Sequence, residues 1–322
     1  MLKSVIATSN SSLLNNPPLS YCGMDNLNFR VADAYFHIEF IDKEDDRHLL
    51  PSFPAFYINE PLPEPPMFAL TVGHQLCTAT PQGKEVGQFD CGGANHGIYK
   101  LDEGGYAIHI SSPTGSLSCI LQSNADFTQC QATLVGNEDD RKFGLNNAVM
   151  ICFAFSGAYH DILLIHSSVP MIADKGYLFL GKSGTGKSTH CKLWLNNFEG
   201  ADLLNDDNPA LRLHPDGNIY VYGTPWSGKT PCYRPLRRRV GGFLQLEQAP
   251  YNEIVRLHPV QAFAKVLSSC STMPWDSPSY KRICATTSRI IAKAPVFHLK
   301  NLPNLEAAQM SHAALCPKDE NN

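Results

Sequence analysis

The sequence has no long hydrophobic run. Its greasiest stretch, AVMICFAFSGAY at residues 148–159, is interrupted by Ser156 and Gly157. That is shorter than the ~18–20 apolar residues needed to cross a bilayer, so no membrane partner is expected. The opening MLKSVIATSNSSLL offers only a brief apolar patch, too little for the core of an export signal. No C-x-x-C pair occurs among the 11 cysteines. Scattered thiols without framework spacing, in a chain without an export signal, read as reduced and buried, and the expected localisation is cytoplasmic. Charge is scarce as well, at 17% of residues, against the roughly 25% usual for soluble domains. A basic excess is lacking: 26 Lys+Arg against 30 Asp+Glu leave a net charge of −4. Neutralising nucleic-acid phosphates takes clustered Lys and Arg, so no nucleic-acid partner is expected either.

What is present is ample apolar material, 43% of 322 residues, enough for a real core and, at about 150 residues per domain, for two domains. Residues 1–27 are rich in Ser, Asn and Pro and read as a flexible arm. From 28 to 143 the pattern is β. FRVADAYFHIEFI alternates Phe36, Ile38 and Phe40 as one half-buried strand does. A proline-dense loop or edge follows, and then short apolar runs separated by turns such as Asp102-Glu103-Gly104-Gly105. This spacing predicts an antiparallel meander or sandwich. Near Gly144 the period changes. Residues 144–159 suit a helix, DILLIHS, YLFL and ADLLND suit buried strands, and THCKLWLNNF suits a helix between the last two. LRLHPDGNIYVYG reads as a hairpin, followed by VGGFLQLEQ, helices near 259–270 and 277–293, the strand PVFHL and a helix near 304–315. The expected second domain, 144–316, is therefore α/β, with a tail at 317–322.

The strongest local signal is GKSGTGKST at 181–189. It fits the phosphate-binding pattern of Gly, four residues, Gly-Lys and Ser or Thr. Gly181, Gly184 and Gly186 let backbone amides of the loop, with those of Ser183 and Thr185, curl round a polyphosphate. The helix that begins after them adds its positive end. Lys187 is placed to reach the phosphates, Ser188 to ligate Mg²⁺, and Thr189 completes the motif. A second stretch, GTPWSGKT at 223–230, matches the same pattern but is followed by Pro231 and Pro235. A proline there removes the helix, so this second match is not expected to hold a nucleotide. Downstream of the first loop, LLNDD ends a strand in Asp206 and Asp207. Side chains alternate along a strand, so one carboxylate can face a metal while its neighbour serves as general base. Upstream, His166 closes the strand DILLI, a position that taken alone suits a structural histidine as well as a functional one.

Together, IHSS, the connection from Val169 to Phe179, LGKSGTGKST and LLNDDN resemble the nucleotide core of the HPr kinase/phosphorylase and phosphoenolpyruvate carboxykinase superfamily. Its members show a His-containing strand, a loop such as GLSGTGKTT and a strand ending in Asp-Asp. The resemblance is close over 160–210 and loose to about 310, and AKAPVFHLKNLPNLEAA is similar to the ends of small HPr-kinase-like proteins. It implies an α/β P-loop domain of that type behind a β-rich N-terminal domain. It also implies ATP with Mg²⁺, or Mn²⁺, as cofactors, held by Ser188, Asp206, Asp207 and His166 on the metal side. Lys187, His166 and the two aspartates are the implied catalytic residues. HPr kinases are hexameric, so a homo-oligomer is among the partners implied. The Glu-aliphatic-Arg-Gly-x-Gly signature of HPr kinases is absent, and GTPWSGKTPCYR stands after the Asp pair instead.

Lys229, Arg234 and Trp226 on that stretch offer two cations and a flat apolar face, suited to a lid or to an anionic acceptor. The run Arg237-Arg238-Arg239 reads as a solvated strand entrance, with phosphate neutralisation as the alternative. The expectation is an ATP-dependent phosphotransferase acting on a hydroxyl acceptor, either a small molecule such as serine or a protein seryl residue. Two alternatives stay open: a nucleotide-binding regulator without transfer, and a peptide-binding module with a vestigial P-loop.

Overall fold

Ala32 and Asp33 both adopt left-handed backbone, with φ of 53° and 55°. Two consecutive positive-φ residues are what a tight two-residue hairpin turn requires. FRVADAYFHIEFI is therefore a hairpin and not the single strand its alternation suggests. The computed structural model describes residues 26–42, 46–90, 95–228 and 230–317. The arm expected over 1–27 lies outside the described residues as far as 25, while Asn26 and Leu27 belong to the first strand. The expected tail lies outside them from 318 onward.

The first half forms β1 (Asn26–Val31), β2 (Ala34–Phe40), β3 (Tyr57–Ile58), β4 (Phe68–Gly73) and β5 (Gly83–Asp90). It continues with β6 (Asn95–Leu101), β7 (Tyr106–Ser111), β8 (Leu117–Ser123) and β9 (Gln129–Leu134). All belong to one sheet, in the order β3-β1-β2-β4-β9-β8-β7-β6-β5. The run from β5 to β9 is the expected meander, but β2, β4 and β9 pair in parallel. One mixed sheet thus replaces the alternative of a sandwich. A sheet buried on one side needs a cover, and α1 (Glu138–Gly157) supplies it.

This helix begins at Glu138, ahead of the Gly144 start that the pattern suggests. Asn137 accepts the Asp140 amide at 3.0 Å while the Asp140 carboxylate accepts the Asn137 amide at 3.3 Å, a reciprocal cap that satisfies two free donors. Gly144 is instead a point of close approach: a Cβ there would lie 2.6 Å from the Ser118 carbonyl. Beyond it α1 is buried almost all round, as a helix between two layers must be.

The other layer is the second sheet. Its strands are β10 (Ile162–Leu164), β11 (Ser167–Ile172), β12 (Lys175–Leu180), β13 (Ala201–Asp207), β14 (Ala210–Leu213) and β15 (Ile219–Tyr222). The remainder are β16 (Arg237–Gln248), β17 (Glu253–Arg256) and β18 (Val296–Asn301). The order is β10-β14-β15-β16-β12-β11-β13, with β18 on β16 and β17 on β18. Helices α2 (Lys187–Asn197), α3 (Pro259–Leu267), α4 (Ser277–Ile291) and α5 (Leu305–Leu315) complete the chain. The architecture is mixed α/β with two large sheets. The connection from Val169 to Phe179 is a tight antiparallel hairpin of β11 and β12. It brings Ser167 opposite Leu180 and, on the other side, Ser168 opposite Asp206. The ends of β11, β12 and β13 therefore meet at one corner of the sheet. Among the described residues no helix is long and apolar enough to cross a membrane.

Behind that corner α2 packs on α5 through a buried polar knot. The Ser311 hydroxyl donates to the Ala308 carbonyl at 2.9 Å, and accepts from Trp194 Nε1 at 2.9 Å and from His190 Nε2 at 2.9 Å. The His190 proton is thus on Nε2, leaving Nδ1 buried without a donor. A second proton would create an unpaired buried charge, and burial lowers the His190 pKa from 6.5 to about 4. Because the folded pKa lies below the unfolded one, the unfolded chain takes up the proton first. The stability contributed by neutral His190 is complete above pH 6.5 and is lost as pH falls toward 4, an interval worth ~3 kcal/mol. Urea unfolding across this range is expected to show that loss, and His190→Gln, which keeps a donor to Ser311, is expected to flatten it. An unchanged slope in the variant would refute the assignment.

Candidate functional site

Leu180 ends β12 and Lys187 begins α2, so residues 181–186 form a strand-to-helix loop. Gly184 and Gly186 have φ of 82° and 98°, backbone that other residues adopt only under strain. A Cβ on either would meet nothing within 4 Å, so both positions face open space. The Thr185 amide and hydroxyl both donate to the Lys182 carbonyl, at 3.2 and 2.8 Å, and close the turn. Gln248 at the end of β16 donates to the Gly184 carbonyl at 3.1 Å and fixes the outer rim.

The Lys187 ammonium folds back into the loop. It donates to the Gly181 carbonyl at 2.8 Å, the Lys182 carbonyl at 3.3 Å and His166 Nε2 at 2.9 Å. Lys187 is only 9% exposed. Burial lowers its pKa from the usual lysine value, while Asp207 and then Asp206 oppose that fall. Since Nε2 accepts from an ammonium, His166 carries its proton on Nδ1, which faces Asp207 Oδ1 at 3.0 Å. Lys187 is thus hydrogen-bonded to His166, whose other ring nitrogen stands within ion-pair distance of Asp207.

The other aspartate faces away from these groups, as alternation along β13 requires. Asp206 is 5% exposed. Its Oδ1 accepts from Ser188 at 3.0 Å and from Ser168 at 2.5 Å. Asp207 is 34% exposed at the side chain and accepts from Asn208 Nδ2 at 2.9 Å. Two adjacent carboxylates are thus held in different environments, one enclosed by hydroxyls and one open to solvent. Among the described residues no three His, Cys, Asp or Glu side chains converge as a metal-binding group. The donor set that fits a metal is the hard-oxygen pair Ser188 Oγ and Asp206 Oδ1, which suits Mg²⁺, an ion that keeps several waters and takes one or two protein oxygens.

The stretch after β15 lies along the outer edge of β13. Asn205 Nδ2 donates to Thr224 Oγ1 and the Trp226 carbonyl, both at 3.2 Å. The Gly228 amide donates to the Asp206 carbonyl at 2.7 Å, and Ser227 forms a bridge with Asp207. The tip of this loop therefore rests on the aspartate pair. A Cβ on Gly228 would lie 2.8 Å from the Asp206 carbonyl, so the approach requires glycine.

The structure brings Gly181, Ser183, Gly184, Thr185, Gly186, Lys187, Ser188, Thr189, His166, Asp206 and Asp207 to one corner. Two of the residues read as contacts to an acceptor are placed differently. Trp226 is 3% exposed and packs between Phe153 and Phe53 at 5.1 and 5.9 Å, so it anchors the loop in the core and presents no face to a ligand. Arg234 pairs with Asp202, four residues before Asp206 and so ~13 Å back along the strand, and that partner takes it away from the corner. Lys229 lies outside the described residues. Sequence reasoning missed Ser168 and Asn205. Ser168 stood in the IHSS run already singled out for His166; Asn205 gave no local signal.

Lys187→Ala removes the tie between α2 and the loop carbonyls. Amide exchange at 182–186 in the ligand-free protein is expected to rise about tenfold or more. Unchanged exchange would show that the loop holds its form without the ammonium.

Comparison of the chain with models of known protein families and with curated proteins finds no match to either.

Proposed function

We propose that the protein is an ATP-dependent phosphotransferase with a P-loop domain of the HPr kinase and carboxykinase type. The observation that carries the reading is the meeting of a buried P-loop lysine with two differently housed aspartates at the ends of β12, β11 and β13. A loop for phosphate binding alone has no need of a second, solvent-open carboxylate.

In this reading the amides of 183, 184 and 186–188, with the N-terminus of α2, hold the nucleotide's phosphates, the Thr185 amide being taken by the Lys182 carbonyl. Lys187 turns from the loop carbonyls toward the β and γ phosphates. Ser188 and Asp206 are the residues that would hold Mg²⁺, which when bound would neutralise charge on the transferring phosphoryl group. Asp207, open to solvent and oriented by His166 and Asn208, is the general base. The acceptor oxygen bonds to the γ-phosphorus as the bond to the β,γ-bridging oxygen breaks. The acceptor's proton passes to Asp207 and ADP leaves. The loop tip at Ser227–Gly228 borders Asp207, where an acceptor hydroxyl must approach. A hydroxyl of a small molecule such as serine, or of a protein seryl residue, meets that requirement.

The test uses γ-labelled ATP with water, free serine and a cytoplasmic protein fraction as acceptors. Lys187→Ala is expected to weaken ATP binding about 10- to 100-fold, the worth of a charge-assisted hydrogen bond. Asp207→Asn is expected to keep affinity within about threefold and lower transfer by about 10²–10⁴. Tight binding with no label moved to any acceptor would replace transfer by a regulatory role. Binding that ignores Lys187→Ala would remove the nucleotide site altogether.

A further inference from the structure

At the opposite end of the second sheet from the P-loop lies a cleft of about 600 Å³ between the two sheets. Its floor is charged. Arg30 of β1 donates to Asp33 Oδ1 at 2.5 Å, and Arg237, the first residue of β16, donates to Asp33 Oδ2 at 2.6 Å. Tyr222 also donates to Oδ2, at 2.7 Å. One carboxylate therefore holds two guanidinium groups side by side, and each still has donors to spare. Arg237 is further fixed by stacking over the Tyr220 ring, 4.5 Å from its centroid. Arg238 also lines the cleft, its Nη1 donating to the Arg237 carbonyl at 2.9 Å, so the lining carries three arginines and one carboxylate. Its other wall is apolar, with Tyr57 on one side and Leu236, 41% exposed, on the other.

The cleft also touches the loop that reaches the aspartates. Gly223 and Leu236, joined by an amide-to-carbonyl bond of 2.9 Å, are the two feet of that loop, and both line the cleft. Its tip rests on Asp206 and Asp207. A molecule wedged against the feet bears on a segment whose far end borders the proposed base.

We propose that this cleft is a binding site for a phosphate monoester carrying an apolar body, and that the bound molecule stiffens the segments 223–228 and 230–236. The arginine forks match phosphate oxygens in pairs. A dianion balances the excess of guanidinium over carboxylate, and the volume is that of a small-molecule site with room beyond the phosphate itself. Nothing in this binding depends on the nucleotide reading of the P-loop.

Phenyl phosphate is the probe, titrated calorimetrically into the wild type, Arg237→Ala, Arg237→Lys, Arg30→Ala and Lys187→Ala. Saturable binding is expected in the wild type and unchanged, within about twofold, in Lys187→Ala. It is expected to weaken about tenfold or more in both alanine variants, and measurably in Arg237→Lys, which keeps charge but loses the fork. Amide exchange is expected to slow over 224–228 and 230–236 on binding, and not in Arg237→Ala. Absence of saturation by about 10 mM in the wild type, or unchanged affinity in both alanine variants, overturns the site. Loss confined to Lys187→Ala places the phosphate on the P-loop and overturns it too. Equal affinity for benzoate overturns the phosphate preference, equal affinity for inorganic phosphate overturns the apolar body, and binding without protection overturns the coupling.

Discussion

A buried ammonium needs acceptors, and much of the corner around the 181–186 loop follows from where Lys187 finds them. Taking a charge out of water costs several kcal/mol unless hydrogen bonds and opposite charge offset it. The Gly181 and Lys182 carbonyls supply two of the bonds, which holds the loop curled even without a ligand. His166 supplies the third only in the tautomer with its proton on Nδ1, the nitrogen that stands 3.0 Å from Asp207 Oδ1, where the carboxylate favours a donor. The corner therefore requires β11 and β13 to run beside β12 with their ends level. The register provides this, setting Ser167 against Leu180 and Ser168 against Asp206. A shift of one residue in either pairing would turn Ser168 or Asp206 to the wrong face and leave a carboxylate buried without donors.

The corner is also braced from the first sheet. Phe153 of α1 lies 6.2 Å from Phe36 and 5.1 Å from Trp226. One helix residue thus touches the core of the first sheet and the anchor of the loop that rests on the aspartates. Rigid aromatic packing of this kind resists small displacement. The first sheet therefore takes part in positioning the loop that rests on Asp206 and Asp207. The β1–β2 turn makes a second link, since Arg212 Nη1 donates to the Ala32 carbonyl at 2.8 Å.

Legibility in the sequence followed the range of the interaction. The P-loop, the strand ending in two aspartates and the helices of the second half are set by neighbouring residues, through glycine backbone freedom and 3.6-residue periodicity. The β1–β2 hairpin was missed because Ala32 and Asp33 are not the Asn-Gly or Gly-Gly pairs that announce such turns, and the alternation of apolar residues runs on past them. The start of α1 was missed for the opposite reason: its capping signal, Asn137 with Asp140, precedes the apolar stretch by several polar residues. The parallel pairing of β2, β4 and β9 depends on distant segments and left no local trace. Trp226 reads as a face for a ligand because it shares with Lys229 and Arg234 the stretch that follows the Asp pair. Only the position of Phe53 and Phe153 makes it core.

The two matches to one motif show what such a pattern leaves unspecified. Both Gly181–Ser188 and Gly223–Thr230 carry Gly, four residues, Gly-Lys and a hydroxyl residue. In the first, a strand enters, a helix leaves, and the lysine is drawn into the space between them. In the second, Pro231 and Pro235 deny the chain a helix, and Thr224 and Trp226 are held inward by Asn205. Its Gly228 amide donates to the Asp206 carbonyl, and its Trp226 amide to Thr224 Oγ1. A row of amides becomes a phosphate site only where a helix start leaves them without partners; where a strand edge offers carbonyls, the same residues become a brace.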